Sequence, residues 1–289
     1  MLATITCIAA FPFEFYLLYV AITEKNKNSI PFVYITFLTI VAILGKMTCF
    51  INAYWLIQNY GPYYQSYRET FGKMITLVST GSYLIPLCLN WLMTMHRVII
   101  FASPFGSQRI FSTRKLFAYC SAVTTLVLIS LLIPYFYTCS VNFSGLSNRY
   151  ESACAPNKHP ITTFQNEYTV FMPVISMTVN LGIIIYLKAT QASLRCSKWE
   201  KTMIRQAIAI AVYLSIYELG YQLIKYFPTQ YASLPASIQS LIIEVRFSIV
   251  FLLNFLVYFV ETQSTREMLL KPFRSKKKEN TSIITVTAT

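Results

Sequence analysis

The chain contains no aspartate: all eleven of its acidic residues are glutamate, set against 24 lysines and arginines. Histidine occurs twice, and glycine only 8 times in 289 residues. Each scarcity weighs against a class of function. Hydrolysis at a metal or an activated nucleophile needs several histidines and acids converging on one point. Two histidines and no aspartate do not supply them, so no enzymatic activity, metal or cofactor is expected. Secondary transporters are built from internal repeats and glycine-interrupted helices, and neither is present here. Charged residues make up 12% of the chain, where a soluble domain averages about 25%. That deficit points away from water.

What the chain has instead is apolar length. Hydrophobic residues make up 55% and aromatics 16%, with a mean hydropathy of +0.50. A helix crosses the hydrocarbon of a bilayer with about 20 apolar residues. Seven such runs can be read, at 3–22, 31–56, 74–101, 116–138, 167–188, 203–227 and 238–260. They are too long and too continuously apolar for the short alternating strands of an outer-membrane barrel. The expectation is an all-α membrane protein with one seven-helix domain over 1–262. Residues 263–289 would follow as a tail, whose "STREMLLKPF" reads as a short amphipathic helix on the membrane surface. The first run has no basic residue before its apolar core, while Lys25 and Lys27 follow it. A signal peptide has the reverse order, so a retained first helix with its amino terminus outside is expected.

The cations agree with that orientation. Of the 24, 17 fall in segments that would be cytoplasmic, and 5 (Arg68, Lys73, Arg149, Lys158, Lys225) fall outside or at outer helix ends. Such a bias toward the inner side is the signature of membrane topology. It also removes nucleic acid as a partner, since binding there needs one solvated basic face. The "NFS" sequon at Asn142 falls outside, where it can accept a glycan; the "NTS" at Asn280 falls inside. Arg97 lies near the inner end of the third run, where water and headgroups would solvate it.

Three motifs sit in order along this frame. His96-Arg97-Val98 ends the third run, Pro134 and Pro173 fall in the fourth and fifth, and "NFLVY" gives Asn254 and Tyr258 in the seventh. The pattern resembles a rhodopsin-like G-protein-coupled receptor, with His96 in place of the family's acid and Phe255 in place of its proline. Phrases such as "FPFEFYLLYV" and "SACAPNKHPIT" are most similar to the nematode serpentine chemoreceptors, class xa first and classes v and x next. The resemblance implies a plasma-membrane receptor of sensory cilia, binding a small molecule and signalling to a heterotrimeric G protein. Arg97, His96, Asn254 and Tyr258 would serve coupling. His96 reads as an interfacial residue or as a proton switch. Glu200, the acid at the inner start of helix six, is the natural partner for Arg97 across the bundle.

The departures are informative. With no aspartate, the family's sodium-site acid of helix two and amine-binding acid of helix three are absent. No cysteine lies around Tyr67 to Met74, so the usual bridge from helix three to the second outer loop cannot form. Cys139 and Cys154 both fall in that loop, in an oxidising compartment, where they either stay free or form one bridge that pins the loop; the bridge is the expectation adopted. Cys7, Cys49, Cys88, Cys120 and Cys196 read as buried or inner thiols.

Four charges remain inside the apolar runs. Glu218 and Arg246 both lie about 12–14 Å below the outer edge at ~1.5 Å per residue, on helices six and seven. Charges at that depth find partners, so a Glu218–Arg246 ion pair is expected, extended by Glu244 and Lys46. Such a network is either a structural clamp or the border of a ligand site. It also keeps a multi-pass transporter or ligand-gated channel open as the alternative. A retinal protein is not an option, because helix seven has no lysine.

Overall fold

The computed structural model describes residues 2–23, 32–58, 66–102, 110–137, 139–144, 149–154, 156–169, 171–189, 198–263 and 265–271. Seven of its helical segments are long and apolar enough to cross a membrane. In hydrocarbon every backbone N–H and C=O must be satisfied within the segment, so a continuous apolar run has no lower-energy choice than a helix. The first two spans are α1 (Leu2–Thr23) and α2 (Phe32–Gln58). A π-helical segment, Arg68–Gly72, leads directly into α3 (Lys73–Ala102), and α4 is Thr113–Phe136.

The segment after α4, expected as an outer loop, holds a β-hairpin. Strands β1 (Val141–Ser144) and β2 (Arg149–Ser152) pair antiparallel, with Val141 opposite Ser152 and Asn142 opposite Glu151. This hairpin packs on the start of α3 and on the π-segment before it.

The fifth span, expected over 167–188, is α6 (Phe171–Ala189), and a further helix, α5 (Pro160–Tyr168), precedes it. Proline explains both of their starts. Pro160 occupies the first helical position, where its missing N–H costs nothing, and the His159 ring accepts the Ile161 N–H at 3.2 Å as a cap. In an unbroken helix the Thr169 carbonyl would take its hydrogen bond from residue 173, but Pro173 has none to give. That carbonyl accepts from Met172 instead, at 3.1 Å.

Spans six and seven follow as α7 (Lys198–Tyr226), the short α8 (Pro228–Ala232) and α9 (Ala236–Asn254). At Asn254 the last span changes to a π-helix, Phe255–Glu261. The wider π turn bends a helix and is commonly found at functional sites. Here it stands where the resemblance led to a proline, and the Thr262 hydroxyl donates to the Val257 carbonyl at 2.7 Å. The expected amphipathic segment is helical over 265–271, with Met268 and Leu269 buried.

The spans pack as a closed ring. α1 contacts α2 and α9, α2 contacts α3, and α6 contacts α7, while α3 crosses the centre to meet α4, α6 and α7. Apolar side chains cover both faces, so burial patterns show which face is which. On α1 the buried positions Cys7, Ala10, Glu14, Leu17 and Ala21 follow a 3–4 alternation that marks one helix stripe, with Val20 buried beside it. Ile5, Ile8, Phe15, Tyr19 and Ile22 face outward. Because lipid is as apolar as leucine, helix association in a bilayer relies on close packing of small residues and on polar contacts. Gly45 of α2 shows the first: a Cβ there would lie 2.5 Å from Ser82 Oγ and 2.9 Å from Ser82 Cβ of α3. The polar contacts form the site.

Candidate functional site

Three polar clusters lie buried at different depths, and each joins spans that are far apart in sequence. The outer end of the bundle is taken as the hairpin end, following the cation bias.

The inner cluster is built on Arg97. It sits five residues before α3 ends at Ala102, so it is more than a turn inside the helix. It is 1% exposed, and the expectation that headgroups solvate it is corrected. Its guanidinium donates to Asn180 Oδ1 on α6. Asn180 is itself fixed, because its Nδ2 donates to the Ser176 carbonyl at 2.7 Å and to Thr94 Oγ1 at 3.1 Å. Thr94 and Ser176 hydroxyls meet at 2.6 Å, and Asn90 donates to Ser176 at 3.0 Å. Asn90 with Thr94, and Ser176 with Asn180, are two i,i+4 polar pairs on facing helices. His96 is buried rather than interfacial: its ring stacks on Phe111 at 3.9 Å, and its Nδ1 lies 3.3 Å from the Tyr34 hydroxyl. Glu200 belongs to the first turn of α7, and its side chain lies outside the described residues.

The middle cluster was not legible as such. Lys46 of α2 pairs with Glu14 of α1 at 2.5 Å, both buried. The other oxygen of Glu14 accepts from Asn254 Nδ2 of α9 at 2.7 Å. Spans one, two and seven therefore meet at one charged hydrogen-bonded point. Tyr258 lies fully buried in the π-segment just beyond.

The outer cluster corrects the expected clamp. Glu218 and Arg246 form no ion pair. Glu218, 5% exposed, accepts the hydroxyl of Tyr83 from α3. Arg246 donates its Nε to the Tyr217 carbonyl at 3.1 Å, and its guanidinium carbon lies 4.5 Å from the Tyr217 ring centre and 5.6 Å from that of Tyr221. Glu244 accepts the Leu2 backbone N–H at 2.5 Å, and Lys46 belongs to the middle cluster. Four charges expected in one network are thus distributed over separate partners. Depth alone misled here: Glu218 is engaged by the Tyr83 hydroxyl of α3, while Arg246 is taken by the carbonyl and ring of Tyr217, the residue before Glu218.

At the outer rim Cys139 and Cys154 are joined as a disulfide, with Cα atoms 4.9 Å apart. They flank the hairpin, and Ala153 N–H donates to the Ser140 carbonyl at 2.9 Å beside them. Asn142 is half-buried, its amide oxygen 3.1 Å from where a Cβ on Gly72 would stand.

Sequence reasoning passed over Glu14, Asn180, Tyr83 and Tyr217. Glu14 carried a usable signal: it is the one acid in a 22-residue apolar span, and it lies on that span's buried stripe.

A ring of seven apolar helices closed between its first and last members, crossed by the third, with polar junctions at three depths, defines a serpentine multi-pass membrane protein. Residues 29–181 match the family model described as Caenorhabditis serpentine receptor-like protein, class xa. That match spans more than half of the chain, and the chain belongs to this family. It is also 29% identical over 285 residues to Serpentine receptor class XA 10 of Caenorhabditis elegans, covering 89% of this chain and 84% of the relative.

Proposed function

We propose that this multi-pass receptor binds a small molecule among the outer ends of spans three, six and seven and signals to a heterotrimeric G protein at the inner face. The Arg97–Asn180 hydrogen bond carries the reading. A guanidinium near an inner helix end has water within reach of its long side chain, yet this one is turned inward and held by a side chain of another span. A ligand that prefers a bundle with spans three and five apart would break this bond and free Arg97 for a partner outside. Binding then shifts the population toward the coupling form. Glu200 and Tyr258 belong to the same inner machinery in this reading, and family membership supports a plasma membrane of sensory cilia as the setting.

The test is guanine-nucleotide exchange on a G-protein heterotrimer by receptor in lipid nanodiscs. Arg97→Ala should abolish exchange while surface expression stays within about twofold of the unaltered receptor. Exchange by Arg97→Ala equal to that of the unaltered receptor would remove Arg97 from coupling.

A further inference from the structure

We infer that Arg246 is the anchor for a carboxylate-bearing, otherwise apolar or aromatic small molecule; this rests on the receptor reading above and names its ligand class. The guanidinium is held through its Nε and its face. Gly220 provides the seat: a Cβ there would stand 3.0 Å from Arg246 Cδ and 3.2 Å from its Nε, so the arm lies close against α7 and a larger residue would push it away by a few tenths of an ångström. The Tyr217 carbonyl holds Nε, and the two tyrosine rings hold the plane. Among the described residues, no hydrogen bond or ion pair reaches either terminal nitrogen. A guanidinium fixed by its Nε and its face, with both terminal nitrogens open, presents two parallel N–H donors. That fork matches the two oxygens of one carboxylate.

The surroundings say that the open side is a mouth rather than lipid. On α7 the stripe Ala207, Ile210, Leu214 and Tyr221 is a single face by helical spacing. Its first three members are buried, while Tyr221, one turn from the outer end of α7, is 36% exposed. The lipid-facing stripe of the same helix is Val212, Ile216, Leu219 and Leu223, on the opposite side. The interior face therefore opens as it rises, at the level of Arg246. Tyr83, Tyr217 and Phe247 supply ring surface, with Tyr83 and Tyr217 centred 4.9 Å apart and Tyr217 and Phe247 6.3 Å apart. Glu218 sets the charge. Its carboxylate faces the same region, engaged by Tyr83, so a dianion such as a phosphate monoester is repelled while a singly charged carboxylate is tolerated. An ammonium group finds Glu218 closed to it.

The measurement is saturable binding to purified receptor in nanodiscs, using indole-3-acetate, phenylacetate and octanoate, their methyl esters, and tryptamine, up to millimolar concentrations. The acids should bind at least about tenfold more tightly than their esters or the amine. Arg246→Lys, which keeps the charge but loses the fork, and Arg246→Gln should each weaken the acids by roughly 10- to 100-fold, the range of a charge-assisted pair, and leave the esters unchanged. Gly220→Ala, which displaces the arm without touching its charge, should do the same if Arg246→Gln fails to fold. Equal affinity for acids and esters, acid binding untouched in Arg246→Lys, or no saturable binding of any acid would overturn the inference. Nucleotide exchange separates the two readings. Acids that stimulate exchange no less in Arg246→Lys than in the unaltered receptor end the carboxylate site and leave the receptor; Arg246-dependent acid binding that never changes exchange ends the receptor reading and leaves the site.

Discussion

Breaking the Glu14–Lys46 pair should be far more damaging than removing it whole. At 2.5 Å and an effective dielectric of about 20, the Coulomb attraction is about 7 kcal/mol. Desolvating two ions offsets most of that, at several kcal/mol per ion. Lys46→Met leaves the Glu14 carboxylate buried with the Asn254 amide as its remaining partner here; Glu14→Gln leaves the Lys46 ammonium without its counter-ion. Each single change should cost about 3–5 kcal/mol, as buried pairs do when one partner is lost. The double change, Glu14→Gln with Lys46→Met, leaves no charge, keeps the volume and keeps an acceptor for Asn254, so its cost should fall within about 1 kcal/mol. The assay is unfolding of purified receptor in mixed micelles alongside surface expression in cells. At ~1.4 kcal/mol per decade, the single variants should raise the unfolded fraction by roughly 10²- to 10⁴-fold, and the double variant should recover most of that. Single variants no less stable than the double would refute the reasoning, because the pair would then hold nothing together.

Two further outcomes follow from packing and from the outer loop. Gly45→Ala should destabilise by about 1–3 kcal/mol, the usual cost of overpacking, since its Cβ would stand 2.9 Å from Ser82 Cβ; Ser82→Gly in the same chain should restore the loss, and a Gly45→Ala receptor more stable than the unaltered one would show that α2 and α3 do not meet there. The Cys139–Cys154 bridge closes a 15-residue separation, so Cys139→Ser, Cys154→Ser and the double variant should each lose about 3 kcal/mol on the chain-entropy scale; unchanged unfolding of the double variant, or unequal losses among the three, would count against the bridge.

The spans were legible because length and hydropathy are one-dimensional properties, and the bilayer leaves an apolar run no choice but a helix. The break before the fifth span was also written in the chain, since Pro173 cannot bond the Thr169 carbonyl, but its position only became plain once Met172 was seen taking that carbonyl instead. Partner choice was less accessible. Arithmetic along the axis put Glu218 and Arg246 at one depth, but which neighbour each meets depends on rotation about the helix, and in the fold Glu218 meets Tyr83 and Arg246 meets Tyr217. Arg97 was misplaced for a related reason. Its distance from the helix end was readable, but the cover provided by α6 depends on which face of α3 the arginine occupies. The change to π-helix at Asn254 had no mark beyond the missing proline.

The ring also has an order of manufacture. Tyr16 in the first span donates its hydroxyl to the Leu269 carbonyl at 2.5 Å, across 253 residues of chain. Asn254 reaches Glu14 across 240. Synthesis at about 5–20 residues per second leaves the first span waiting roughly 13–50 s for Leu269. Until then α1 has α2 beside it and nothing on its α9 flank. A chain ended by a premature stop before Asn254 would contain most of the spans yet keep an open seam beside Glu14. The segment from Asn254 to Leu269 is therefore where a cell's quality control can tell a closed ring from an open one.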